Sequence, residues 1–207
     1  MLHWSEELEE IIKKEGERCQ SYFWLHRESE ILYNNYNNWL SIPSIILGTI
    51  NGSLSVGSNA IFGDFQGASV LIGFIGIFTA ILASINSYFG NSKRAEAHKV
   101  ASLIYENLNR TLTIELSLNR IERTPAEQLI KIIKEDLNKI NEITPPICET
   151  IIAKYKKTFG KPHVAVPSIC NGLDAIIINS KLDITPVNSF KILENKEDTK
   201  IKIGFEV

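Results

Sequence analysis

Charge is what this sequence lacks over its most informative stretch. From Ile31 to Gly63 there is no Asp, Glu, Lys or Arg, and from Phe65 to Ser92 there is none either, so Asp64 alone separates two uncharged runs. Cysteine is scarce as well. Cys19, Cys148 and Cys170 are an odd number without a repeated spacing, which argues against a disulfide framework or a zinc-ligand set. They read as reduced thiols of a cytosolic compartment. A charge excess is also missing: 22 Lys and Arg against 24 Asp and Glu leave a net charge of −2. Bulk electrostatics therefore gives no basis for binding nucleic acid. There is no phosphate loop, no GxGxxG between a strand and a helix, no HExxH and no nucleophile elbow. The expectation is a protein that is not an enzyme and takes no cofactor or metal. The N-terminal segment MLHWSEELEEIIKKEGER is charged and helical in pattern, unlike a cleavable leader. The uncharged runs are then expected to serve as their own insertion signal.

What is present in those runs fits a bilayer. A spanning helix needs about 20 mostly apolar residues. Trp39 to Ser58 supplies one span and Gln66 to Phe89 a second, joined by the short Gly-rich link GSNAIFGDFQG. A buried hairpin of a soluble bundle is the other reading, but tandem runs this long without charge are rare in soluble cores. Arg18 and Arg27 precede the first span, Lys93, Arg94 and Lys99 follow the second, and the link has no Lys or Arg. That asymmetry predicts a multi-pass topology with both termini cytoplasmic. Tyr33, Tyr36 and Trp39 before the first span and Tyr88 and Phe89 at the end of the second mark the inner interface.

The first span is polar for its place. Ser44, Gly48, Asn51, Ser55 and Ser58 follow spacings of four, three, four and three, which puts them on one helical face. Leu47, Ile50 and Leu54 lie on another. The second span carries its own small residues for helix packing, Ser69, Gly73, Gly76, Ala80 and Ser84. In lipid such faces allow close backbone approach, and Asn can hydrogen-bond to a neighbouring helix. Two helices cannot hide all of these faces in a monomer, so a homo-oligomer is expected. The Asn51 face reads either as helix packing or as the lining of a pore. Asp64 reads either as a solvated loop residue or as a pore mouth.

The fold expected is an all-α membrane protein: a two-transmembrane helical hairpin, a cytosolic helical bundle and a small β-prone tail. Residues 1–37 form an amphipathic helix with Ser5 as N-cap. Residues 38–89 form the hairpin. Residues 90–160 form cytosolic helices, the first running on from the second span without a break. Its apolar stripe is Val100, Leu103, Ile104, Leu108, Leu112 and Leu118, and a new helix is capped by Thr124. Residues 161–207 form a tail with short strands at 174–179 and 201–207. The four histidines, His3, His26, His98 and His163, are far apart in sequence. His98 reads as a packing or surface residue, with metal binding or proton sensing as the alternative.

One resemblance emerges from the middle of the chain. HRESEILYNNYNNWLSIPSIILGTINGSLS, a second span, and NSKRAEAHKVASLIYENLNRTLTIEL together are similar to the SLATT group of two-transmembrane effector domains. It rests on His26 and Tyr33 before the first span, Trp39 and Pro43 at its start, and Ala97, His98, Tyr105 and Leu108 after the second, and it covers about Gln20 to Leu118. The group is associated with nucleotide-sensing immunity modules, and standalone forms occur as membrane proteins of large DNA viruses. The resemblance implies an oligomeric membrane pore. The other expectation is a structural membrane scaffold without conductance. The lipid bilayer is the expected partner in both, with a protein partner for the cytosolic helices as a further one.

Overall fold

The computed structural model describes residues 3–63, 67–160 and 164–172. Among them the chain is all-helical. The order is α1 (Glu6–Phe62), α2 (Ala68–Phe89), α3 (Asn91–Ser117), α4 (Ala126–Ile143), α5 (Glu149–Phe159) and the single turn α6 (Ser168–Asn171). Asp64 and the tail segments expected to form strands lie outside the described residues.

The first helix starts where its chemistry says it should. Ser5 Oγ accepts the Leu8 amide at 3.2 Å, and Glu6, Glu7 and Glu9 sit in the first turn against the helix dipole. The amphipathic segment and the first span form one helix of 57 residues, which at 1.5 Å per residue is roughly 85 Å long. Pro43 lies inside it without ending it. Hydroxyls along the span bond to their own helix. Ser44 donates to the Leu40 carbonyl, Thr49 to Ile45 and Ser53 to Thr49, at 2.8 to 3.0 Å. Each such hydroxyl is satisfied without water or a neighbour, so it can stand in an apolar medium.

The expected unbroken passage from the second span into the next helix is corrected at one residue. Gly90 adopts a left-handed conformation, φ 59° and ψ 35°, ending α2 and starting α3. A residue with a Cβ is strained there, and glycine is not. Thr124 does not cap α4 either. Its hydroxyl donates to Glu115 Oε1 at 2.7 Å, and Pro125 occupies the position before the first turn.

Below the hairpin, α1 and α3 pair antiparallel. The seam is a seven-residue repeat: Ile12, Cys19 and His26 are buried on α1, and Asn91, His98, Tyr105 and Leu112 on α3. Val100, Leu103 and Leu118 of the expected stripe stay exposed, because the seam is built from small and aromatic residues at the repeat positions. Helix α4 covers the far half with Leu129, Ile133 and Ile140 against Ile12, Leu108 and Leu112. Helix α5 covers a second patch, where Ile151 and Tyr155 pack on Leu25. Tyr155 Oη shares a hydrogen bond of 2.8 Å with Ser21 Oγ, and Lys154 pairs with Glu28.

A clamp closes the end far from the hairpin. Arg120 and Arg123 both bind the Glu9 carboxylate, at 2.7 and 2.6 Å. Arg123 also donates to the Leu118 and Leu116 carbonyls, acceptors left open at the end of α3, and sits over the Trp4 ring. The two guanidinium groups hold the Glu9 carboxyl down at about 2, against an ordinary value of 4.5. A depressed acid stabilises the fold above its unfolded value and loses that contribution as pH falls toward its folded one. The gap in unfolding midpoint between wild type and Glu9→Gln is therefore expected to be widest at neutral pH. It should shrink below pH 4.5 and be mostly lost by about pH 2. A gap independent of pH in a urea titration series would refute the ionic origin of the clamp.

Candidate functional site: the apolar hairpin and the histidine layer at its base

Two described helical stretches are long and apolar enough to cross a membrane. No residue of the most apolar 18-residue stretch of α1 is buried, and 6% of the corresponding stretch after the link is. Ile45, Val56, Phe74 and Ile77 point outward. A soluble core would reverse this pattern. Tyr36, Trp39, Tyr88 and Phe89 are also exposed. Their common level is fixed by a polar clasp: Asn86 Nδ2 donates to Ser41 Oγ at 2.8 Å and to Asn37 Oδ1 at 3.3 Å.

The residues singled out on the two spans separate into those between the helices and those outside. Ser44, Asn51 and Ser58 are half-buried toward α2, together with Leu47 and Leu54, so the contact line runs between the polar face and the leucine face rather than along either. Ile50 stays exposed. A Cβ built on Gly76 would lie 3.1 Å from Asn51 Nδ2, and one on Gly48 would lie 3.7 Å from the Thr79 methyl. Gly76 is the opening that admits the Asn51 amide between the helices. Asn51 Oδ1 is buried there without a hydrogen-bond partner among the described residues. Ser55 is exposed, and so are Gly52, Ser69, Gly73, Ala80 and Ser84.

About eleven residues beyond the clasp, the structure unites two side chains that sequence distance had kept apart. His26 and His98 are 1% and 0% exposed, and their Nδ1 atoms are 2.8 Å apart. They sit inside a zipper of rings that alternates between the helices. Tyr33 of α1 stacks on His98 of α3 (5.4 Å, 9°), and His98 meets His26 of α1 (5.1 Å, 34°). His26 stacks on Tyr105 of α3 (5.6 Å, 10°), and Tyr105 on Tyr22 of α1 (5.0 Å, 14°). Arg94 closes the hairpin-side end over Tyr33 at 5.8 Å. The signal was the seven-residue spacing: His26 precedes Tyr33, and His98 precedes Tyr105, by one repeat each.

One proton lies between the two Nδ1 atoms. His98 Nε2 is buried with no hydrogen-bond partner among the described residues. A bare ring nitrogen is cheaper to bury there than an orphan N–H. We therefore assign Nδ1–H to His98, donating to His26 Nδ1, which leaves the His26 proton on Nε2. His26 also lines a cavity of about 230 Å³ with Tyr22, Tyr105, Asn141 and Thr144. Burial pulls His26 down to about 3, with the neighbouring His98 adding to the effect, and pulls His98 down to about 4, with Arg94 adding. Both rings are neutral at pH 7.

The three cysteines are unpaired, and burial pushes the Cys19 thiol up to about 12. Among the described residues no three His, Cys, Asp or Glu side chains cluster so as to hold a metal ion. No family model, no curated protein and no solved structure matches the chain.

Proposed function

We propose that the chain is a multi-pass membrane protein that assembles as a homo-oligomer and forms a pore, in the manner that the SLATT resemblance implies. The observation carrying this reading is the outward surface of the hairpin. Aliphatic and aromatic side chains there alternate with a small and hydroxylic stripe, Gly52 and Ser55 on α1 and Gly73, Ala80 and Ser84 on α2. The aliphatic part suits lipid. The small stripe suits close contact with a second copy, with Ser55 facing the path between copies. The excess of Lys and Arg near Arg27, Lys93 and Arg94 sets both polar ends on the cytoplasmic side.

The purified chain in a planar bilayer is expected to give discrete currents. Ser55→Phe should lower the unitary current several-fold. Asn51→Leu should leave it much less affected, because the amide points between α1 and α2. Silent bilayers at every protein density tried would overturn the pore reading.

A second reading has its own observation. Asn51 is accommodated against Gly76 within one hairpin, so this polar group does not by itself demand a water-filled path. The hairpin is then an anchor for a helical platform, as in a viral membrane scaffold. The exposed Val100 and Leu103 of α3 offer that platform an apolar surface for a protein partner. Vesicles that stay sealed at high protein-to-lipid ratio would favour this scaffold.

A further inference from the structure

We propose that the His26–His98 layer is a proton-sensitive lock on the α1–α3 seam, holding the two helices together at neutral pH and parting them when both rings are protonated. The argument begins with the single proton between the Nδ1 atoms, 2.8 Å apart. A first added proton can still leave one Nδ1–H donating to one bare Nδ1. A second puts an N–H on each side of the same gap. The hydrogen bond is then lost, and two like charges face each other in a layer that is 1% and 0% exposed. Release therefore takes two protons, and its pH dependence is steep.

Among the described residues the surroundings offer the cations ring faces and uncharged polar groups but no counter-charge. Tyr22 and Tyr33 face the layer from α1, and Arg94 and Tyr105 from α3. The cavity beside His26 adds the uncharged Asn141 and Thr144 from α4 and its end, and Ile169 from α6, where Cys170 acts on Tyr22. Burial depresses both rings, with His98 adding to it at His26 and Arg94 at His98; among the described residues Glu15 acts on Tyr22 and Tyr105 and on neither histidine. That cavity of about 230 Å³ lies beside His26.

The layer is placed to act on the hairpin. His26 and Asn51 belong to one unbroken helix, so parting the seam tilts the first span, while left-handed Gly90 lets α2 answer independently of α3. This last coupling rests on the membrane reading. The opening of the seam does not.

The test uses the full chain in phosphatidylcholine vesicles, with amide hydrogen exchange followed between pH 7 and pH 5 and corrected for the intrinsic rate. Two protons taken up by rings of ordinary basicity in the open state raise the open population roughly 500-fold over that range. Exchange around Ala95–Tyr105 should rise accordingly, while Leu129–Ile140 in α4 stays protected. The double substitution His26→Phe and His98→Phe keeps the ring zipper and should abolish the pH response. If that variant does not fold, nitrogen NMR of the wild-type histidine rings replaces it, and both rings should take up protons in the window where exchange rises. Flat exchange in the wild type, an equal rise in the Phe variant, or two independent titrations near pH 6.5 with an unchanged seam would each overturn the lock. Leakage of a trapped dye is read in parallel. A seam that opens without leakage supports the lock and counts against the pore.

Discussion

His98→Lys is expected to cost about 4 kcal/mol or more, a large share of the stability of an ordinary domain. His98 is fully buried, and the positive charge of Arg94 acts on it. A lysine there must either carry its charge into a layer of rings with no counter-ion or give up its proton. His98→Phe separates the charge from the shape. It keeps the stack on Tyr33 and loses only the hydrogen bond to His26, for about 1–2 kcal/mol. Urea unfolding with the hairpin held in micelles reads both, and equal losses in the two variants would mean that the layer is open to water. The same experiment run against pH has a definite sign. The folded rings are depressed, so their contribution is complete above the unfolded value of 6.5 and is lost as pH falls toward 4 and 3. The steepest loss is about 1.4 kcal/mol per pH unit for each ring.

Leu112→Ala ranks second, with an expected loss of about 3–5 kcal/mol, the upper part of the range for buried leucine. Leu112 is 1% exposed and joins Ile12, Leu108 and Leu129 in the larger core. Across the seam it meets Gly16, whose missing side chain leaves nothing to collapse into the void. A Cβ on Gly16 would stand 3.6 Å from Leu112 Cβ, an ordinary contact. Gly16→Ala should therefore be neutral or stabilising by about 1 kcal/mol through helix propensity. It should also recover part of the loss when combined with Leu112→Ala. A loss below about 1 kcal/mol for Leu112→Ala alone would sink the assignment of this seam as the core.

The two apolar helices were legible because absence of charge is a one-dimensional property: it needs no partner to be recognised. The Ser5 cap was legible for a similar reason, since it acts within one turn. The stripe on α3 was right at Ile104, Leu108 and Leu112 and misplaced at Val100 and Leu103, where hydrophobicity alone chose them and the partner surface of α1 selects Ala95, His98, Ser102 and Tyr105. A seam made of small and polar residues is invisible until the opposing helix is known. The histidine layer was hidden by its span of 72 residues. Its two members lie on different helices, and only a seven-residue repeat written in rings, not leucines, would have joined them. Within the hairpin, helical spacing placed Asn51 and Ser55 on one face, but the neighbour takes Asn51 and leaves Ser55 outside.

The clamp at the far end has a consequence for the order in which the protein is made. Trp4 Nε1 donates to the Thr124 carbonyl, and Glu9 binds Arg120 and Arg123, across more than 110 residues of chain. A ribosome must therefore finish both hairpin helices and all of α3 before the first turns of α1 find their partners. Until then the nascent arm carries Ile12 and Cys19 uncovered, a surface that chaperones recognise. The first turns of α1 are thus made more than 110 residues before the partners that clamp them, and α4 and α5, made later still, bring the remaining cover for Ile12 and Leu25.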